Sequence, residues 1–270
     1  MSARYSEAMV STGVISHSIG GHRETRFILT RWPNTRIRHA IINFVPAQEP
    51  LSISPAVEDY TKAIYALQLR GEQPVSTTAL AERLGVTAAS ASGMVKRLTE
   101  LGLALHQPYR GVTLTDDGRR VALEVMRHHR LLELYLVRSL GVPWDRVHAE
   151  AEVLEHVLSE ELEELISEKL GHPTHDPHGD PIPTRELTIE EGATLALQAL
   201  QPGDRARFTR VSDSEPEMLR FLAERGIAPG GDLEVIDKQP FDGPLFVRIA
   251  NQVHVFGGAL AAAMRVQRRP

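Results

Sequence analysis

The sequence predicts a mainly α-helical protein that ends in a small β domain, and three observations carry that prediction. Between Ser54 and Gly171 the apolar residues recur at helical spacing, in segments punctuated by glycine. Within that region a helix, a glycine-containing turn and a second helix precede two short strand-like segments, the pattern of a winged helix-turn-helix. Beyond Gln201 the period changes from helical to strand-like, with short segments between glycine turns.

Each element has its own signal. Ser54-Pro55 is an N-cap followed by proline at the first helical position. The helix it opens, Ala56–Arg70, sets Val57, Tyr60, Ile64 and Leu67 along one face before Gly71 stops it. Ser76–Leu84 is a short helix closed by Gly85. Thr87 caps Ala88–Glu100, whose inward face is Ala91, Val95, Leu98 and Leu101. Two strands, Leu103–Gln107 and Gly111–Thr115, are joined by Pro108-Tyr109-Arg110. Thr115-Asp116-Asp117-Gly118 opens a long helix that runs to about Leu140, where Gly141-Val142-Pro143 ends it. Trp144–Leu170 reads as one further long helix, stopped by Gly171. The Pro/His/Gly-rich stretch Gly171–Thr184 reads as a linker, with His172, His175 and His178 in a turn-rich connector. Strands are expected over Ala206–Val211, Leu233–Lys238, Pro244–Ile249 and Val253–Phe256, with a helix at Pro216–Glu224. Together they suggest a small, strongly bent β-barrel.

The expected domains are therefore a winged helix-turn-helix over 52–118, a helical domain with its linker over 119–184, and a β domain over 201–270. Residues 1–51 hold several arginines, few acids and no lysine, and fit no period. They read as a disordered leader outside the fold; an arm on DNA phosphates and a transit-peptide-like segment are the competing readings. The whole chain of 270 residues is long enough for two or three cored domains. It contains no cysteine, which excludes a disulfide framework, a thiolate metal site and a cysteine nucleophile. A formal net charge of −5 does not decide for or against nucleic acid, because local distribution matters more than the total. The apolar runs are too short and interrupted to span a bilayer, so a cytoplasmic protein with no membrane partner is expected. No glycine-rich phosphate loop and no Gly-x-Ser-x-Gly elbow occurs.

Two chemistries stand out. The helix Ala88–Glu100 would enter the major groove of double-stranded DNA with Thr87, Ala89, Ser90, Ser92 and Gly93 near the bases. Lys96, Arg97, Tyr109 and Arg110 would contact phosphates. The second chemistry is metal ligation. At 100° per residue His148, Glu152, Glu155 and His156 fall within roughly a third of a helix circumference. Beside them Val147, Ala151, Leu154 and Leu158 form the apolar stripe, so the polar face flanks the core and needs partners. His129 and Glu133, spaced by four, would alone read as a solvated surface pair, but they stand opposite this cluster. A metal site next to a DNA-reading module points to a metal-sensing regulator.

Several motifs then occur in a fixed order: Val57-Glu58-Asp59-Tyr60, the helix-turn-helix, Leu114-Thr115-x-x-Gly118, and His128-His129-Arg130-Leu131-Leu132-Glu133. They continue with Val147-His148-x-Glu150-Ala151-Glu152-x-x-Glu155-His156 and Asp176-Pro177-His178-Gly179-Asp180-Pro181-Ile182-Pro183. Over residues 52 to 268 this order resembles the diphtheria toxin repressor family of iron- and manganese-dependent transcriptional regulators. The segment Gly226-Ile227-Ala228-Pro229-Gly230 resembles part of an FeoA-type barrel. The resemblance implies a primary metal site from Asp59, Glu152, Glu155 and His156. It implies an ancillary site from His129, Glu133 and His148, to which the C-terminal domain adds Asp213. Iron-responsive members carry a cysteine at the position of Glu152 and a methionine at that of Asp59, whereas manganese-responsive members are acidic at both. The resemblance therefore implies Mn²⁺, with Fe²⁺ as the alternative. Lys62 stands where some two-domain manganese regulators carry a glutamate, which argues for two separated sites over a closely spaced pair.

The implied function is a metal-dependent repressor of metal-ion transport genes, binding an inverted-repeat operator as a homodimer. Without metal, the carboxylates are expected to repel one another and leave the DNA-binding domains mobile. A metallohydrolase would instead require an open coordination position and a substrate cleft. A metal-independent winged-helix factor would be indifferent to chelator.

Overall fold

The computed structural model describes residues 53–269 apart from 191, 214 and 242, together with two strands, β1 (Gly13–Ile15) and β2 (Phe27–Leu29), paired antiparallel. The leader expected over 1–51 otherwise lies outside the described residues.

The winged helix-turn-helix forms as its caps dictate. It consists of α1 (Pro55–Leu69), α2 (Thr77–Leu84), α3 (Ala88–Glu100), β3 (Ala104–Gln107) and β4 (Gly111–Leu114). Ser76 and Thr87 accept the backbone N–H of Ala79 and Ser90, which satisfies a donor that each helix start would otherwise leave open. Gly85 closes α2 in the left-handed conformation. Ile64, Leu80, Ala91, Leu98 and Val112 meet in one core from which water is excluded. Each fully buried leucine there contributes about 2 kcal/mol of hydrophobic stabilisation.

The long helix α4 (Asp116–Leu140) is the spine that joins the parts. Thr115 caps it by accepting the Gly118 N–H, and its hydroxyl donates to the Gly102 carbonyl, locking the helix onto the wing. Gly118 permits that approach, since a Cβ there would lie 1.9 Å from the Leu103 carbonyl oxygen. The first half of α4 packs on α1 through Tyr65, Ala122, Leu123 and Met126. Its second half packs through Leu131, Leu132 and Leu134 on Ala151 and Ile166.

Two expectations are corrected in this region. Trp144–Leu170 is not one helix but α5 (Val147–Leu154) and α6 (Glu160–Lys169). Ser159 starts α6 afresh by accepting the Leu162 N–H, while the Val157 N–H turns back to the Leu154 carbonyl. The break leaves Leu154 exposed, although Val147 and Ala151 are fully buried as the apolar stripe requires. The expected linker is also ordered rather than a plain connector. Asp176 Oδ1 accepts the N–H groups of both His178 and Asp180, and the turn docks on the C-terminal domain through Val211 N–H to the His178 carbonyl. Gly179, at φ +88° and with a would-be Cβ 1.9 Å from the Thr209 carbonyl, is the only residue type that fits this contact.

The C-terminal domain contains β5 (Leu195–Ala196), β6 (Arg205–Val211), α7 (Pro216–Ala223), β7 (Asp232–Lys238), β8 (Leu245–Ile249), β9 (Gln252–Phe256), α8 (Gly258–Ala263) and β10 (Met264–Arg268). Its six strands are antiparallel in the order β5-β10-β6-β7-β8-β9. Bulges between Val235 and Asp237 and between Arg265 and Val266 bend it. The sheet bends over Phe208, Phe256 and Met264, but β5 and β9 do not pair, so the expected barrel is an open one. Trp144, in the loop before α5, packs against this core and fixes the β domain beside the helical one.

Candidate metal centre and DNA-binding face

Four overlapping groups of ligand-type atoms collect where α1, α4, α5, the 176–180 turn and the β domain meet. In the first, Asp59 from α1 faces Glu155 and His156, which follow α5, with one candidate atom of each within 4.8 Å of the others. His156 Nε2 lies 3.1 Å from Asp59 Oδ1 and 3.6 Å from Glu155 Oε1. Its other nitrogen, Nδ1, is 2.5 Å from Glu58 Oε2, so a carboxylate outside the group orients the ring. Asp59 Oδ1 is buried yet accepts no well-aligned hydrogen bond, and burial raises its carboxyl above the ordinary range despite the nearby His156 and Lys62. An acceptor held dry beside an imidazole nitrogen is a donor set suited to a cation.

In the second group His129 and Glu133 of α4 meet His148 of α5 and Asp213, which follows β6. His129 Nε2 is 3.0 Å from both Glu133 Oε1 and His148 Nδ1, and His148 Nδ1 is 3.1 Å from Asp213 Oδ2. The four atoms converge although they come from three separate segments of chain. Glu133 is fully buried; desolvation opposes its charge, but its hydrogen bonds to His129 and His148, with His178 nearby, hold it well below the usual carboxylate range. Hydrogen bonds that His148 donates to Asp213 and Glu133 push it up to about 10. Burial opposes the charge of His129, but bonding to Glu133 and Glu155 outweighs it and raises the ring to about 9. Burial also opposes the charge of Asp213, and its bond to His148 takes it down to about 2.

In the third group Glu152 stands with His129 and Glu155, on the other side of Glu155 from Asp59. Lys62 of α1 reaches in and places Nζ 2.7 Å from Glu152 Oε1 and 2.6 Å from Glu155 Oε1. The carboxylates therefore do not simply repel, because this lysine compensates them. Burial opposes its charge, but Glu155 and Glu152 more than restore it, so it remains an ammonium. Glu155, with a fully buried side chain, is the hinge between groups: Oε1 takes Lys62 and Oε2 is 2.5 Å from His129 Nδ1.

Sequence reasoning missed four contributors: Glu58, the bridging role of Lys62, Asp176 and His178. Glu58 and Lys62 lie within one turn of Asp59 on α1, a spacing that could have raised them. His178 is fully buried, donates from Nε2 to the Trp144 carbonyl at 2.8 Å, sits with Nδ1 3.6 Å from Glu133 Oε2, and forms the fourth group with Glu133 and the buried Asp176. His172 and His175 are exposed and stay outside every group. Behind the centre, Arg127 and His128 both hold Glu163 of α6, at 2.6 and 2.9 Å.

On the opposite end of the winged domain, Thr87, Ala89, Ser90, Ser92, Gly93, Lys96 and Arg97 are all exposed on α3 and its cap. Thr87 and Ser90 are engaged in the cap itself, which leaves Ala89, Ser92 and Gly93 as a low, smooth surface. Tyr109 and Arg110 project from the wing tip, where Tyr109 adopts φ 62°. Lys96 and Arg97 approach Glu100 only at 4.0 and 3.8 Å, so they remain available to an anion.

This architecture matches known proteins along most of its length. The family described as iron dependent repressor, N-terminal DNA binding domain, matches residues 52–112. The iron dependent repressor metal binding and dimerisation domain matches 115–184, and the FeoA domain 195–268. The iron-dependent repressor IdeR of Mycobacterium tuberculosis is 42% identical over 223 residues, which is 78% of this chain and 96% of the relative. The chain belongs to the diphtheria toxin repressor family. The diphtheria toxin repressor of Corynebacterium glutamicum is 31% identical over 67% of this chain and 84% of its own length. A solved manganese-dependent transcriptional repressor in complex with manganese is 42% identical, with a TM-score of 0.74 over 79% of this chain and all of that one. As a diphtheria toxin repressor family member the protein is a metal-dependent transcriptional repressor, not an enzyme. The family's DNA-binding and dimerisation domains are both present. Among the described residues no helix is long and apolar enough to cross a membrane.

Proposed function

We propose that the protein is a manganese-responsive repressor of metal-ion transport genes, acting in the cytoplasm as a homodimer on an inverted-repeat operator. One observation carries the choice of metal: the candidate ligands are carboxylate oxygens and imidazole nitrogens, the chain holds no cysteine, and position 59 is an aspartate. Such hard donors favour Mn²⁺ over the softer sites that thiolate and thioether make. The likeness to a manganese-dependent repressor supports the same choice, while the IdeR likeness keeps Fe²⁺ as the second reading.

The proposed primary ligands are Asp59, Glu155 and His156, with Glu152 joining them by a side-chain rotation away from Lys62. The proposed ancillary ligands are His129, Glu133, His148 and Asp213. The ancillary set combines two carboxylates with neutral imidazoles, which balances one divalent charge; the primary set has two carboxylates before Glu152 joins and three after. A bound divalent cation supplies the positive charge that holds these donors together. The residues do the rest: Asp59 commits α1 of the DNA-binding domain to the segment after α5, and Asp213 commits the β domain to α4 and α5. Closing these contacts fixes the recognition helices of a dimer at one spacing, and metal shifts the equilibrium through its preference for that arrangement. Val153 and Val157, exposed at 71% and 77%, and the exposed Leu162 and Leu165 supply the apolar surface for the dimer.

The test is fluorescence anisotropy of the purified protein on its own upstream DNA, with chelator, Mn²⁺ or Fe²⁺. Mn²⁺-dependent binding lost in His156→Ala supports the reading. Equal activation by Fe²⁺ removes the choice of metal, and indifference to chelator removes the switch.

A further inference from the structure

We propose that the Lys62 ammonium is a tethered internal cation that occupies Glu152 and Glu155 in the metal-free protein and competes with the divalent ion for Glu155, raising the metal concentration at which the repressor closes. The inference rests on the reading of Asp59, Glu155 and His156 as a metal site.

The geometry carries it. Glu155 Oε1, which lies 3.6 Å from His156 Nε2 on the side facing Asp59, is the same atom that Lys62 Nζ holds at 2.6 Å. A divalent ion bonds a carboxylate oxygen at about 2.2 Å, so ion and ammonium on one oxygen would stand roughly 4 Å apart. Two positive charges that close repel strongly in a half-buried site. The ammonium is held at its other side by Glu152 Oε1 at 2.7 Å, so the two cations contest both carboxylates. Lys62 also cannot diffuse away. It stands one helical turn from Asp59 on α1, and a tethered competitor acts at high effective concentration.

The same contact has a structural side. The Lys62 bridge joins α1 to the segment that contains Glu152 and Glu155, the two elements that a metal on Asp59 and Glu155 would join. It is thus a weaker, singly charged version of the metal tie, and it keeps a buried carboxylate compensated when metal is scarce. The four-carbon stem lets the head group withdraw to water, where an ammonium is strongly hydrated.

The experiment is isothermal titration of Mn²⁺ into the full chain, wild type beside Lys62→Met and Lys62→Gln, with His156→Ala as a reference. The expected result is Mn²⁺ affinity at least 10-fold tighter in both lysine variants, together with a lower melting temperature before metal is added. Unchanged or weaker affinity in both overturns the proposal. If His156→Ala binds Mn²⁺ as wild type does, the metal-site reading has failed instead. Should neither lysine variant fold, acylation of wild-type Lys62 by an activated acetate ester decides, followed by mass spectrometry with exposed Lys96 as reference. Mn²⁺ should increase Lys62 acylation relative to Lys96, and no increase overturns displacement.

Discussion

Glu58 Oε2 sits 2.5 Å from His156 Nδ1, and that one contact determines which nitrogen of the imidazole is turned toward Asp59. With Nδ1–H given to Glu58, the lone pair of a neutral ring is on Nε2, where the neighbouring acceptors converge. A carboxylate behind a ligating histidine fixes its tautomer and raises its basicity. Glu58→Gln should therefore weaken Mn²⁺ binding by roughly 10-fold, at the low end of what loss of such a partner costs. Isothermal titration checks this; wild-type affinity in the variant would show that the contact does not orient the ring.

Glu133 is the common counter-charge for three histidines. His129, His148 and His178 all turn a ring nitrogen to it, and it is fully buried. Removing one partner of a buried ionic network leaves the others uncompensated, at a cost on the order of 3 kcal/mol. Glu133→Ala should lower the melting temperature by several degrees in chelator and abolish the second of two Mn²⁺ binding events. Two intact binding events in the variant would remove Glu133 from the ancillary set.

The same charges give a pH dependence with a definite sign. His129 at about 9 and His148 at about 10 lie above the ordinary histidine value, so their carboxylate partners favour proton binding by this pair at neutral pH in the absence of metal. Their stabilising contribution is complete below about pH 6.5 and is lost as pH rises through 9 to 10. Asp213, lowered to about 2, contributes stability above about pH 4 that is lost on acidification through 2. Ligation requires neutral imidazole, so metal must expel these protons, and Mn²⁺ affinity should climb with pH between 6 and 9. Titrations in buffers of different ionisation enthalpy should report net proton release; a pH-independent affinity would contradict it.

The winged domain was legible almost residue by residue, because Ser54-Pro55, Ser76, Thr87, Thr115 and the glycines after each helix are local signals that need no tertiary context. The His129/Glu133/His148/Asp213 set came from resemblance, not periodicity, since Asp213 lies over sixty residues from its partners. What stayed hidden has tertiary causes. The helix break at 155–159 carries no proline or glycine, and only the Ser159 cap marks it. Asp176 and His178 looked like connector because Pro/Gly spacing reports backbone freedom and says nothing of burial against Glu133 and Trp144. Lys62 could be read as a non-ligand from its charge, yet its bridge to Glu152 and Glu155 spans some ninety residues.

The docking of the 176–180 turn on β6 makes a stability prediction independent of metal. Gly179 combines φ +88° with a Cβ position 1.9 Å from the Thr209 carbonyl, so Gly179→Ala meets both left-handed strain and backbone overlap. Each defect costs of order 1–3 kcal/mol. The variant should melt several degrees lower, and hydrogen exchange should rise at the Val211 amide, whose partner is the His178 carbonyl. Unchanged protection at Val211 would mean that the turn shifts without undocking.

At the DNA face, the smooth start of α3 and the charged wing should divide the work. Ala89, Ser92 and Gly93 offer no long donor, whereas Arg110 is exposed beside Tyr109 at the wing tip. A phosphate contact contributes affinity through counterion release and carries no sequence information. Arg110→Ala should therefore weaken operator and random DNA by about the same factor and reduce the slope of log affinity against log salt by roughly 1. Ser92→Arg, which puts a long base-reading donor on the face of α3, should instead change preference among operators with little loss on random DNA. If Arg110→Ala weakens only the operator, the wing reads bases and the division fails.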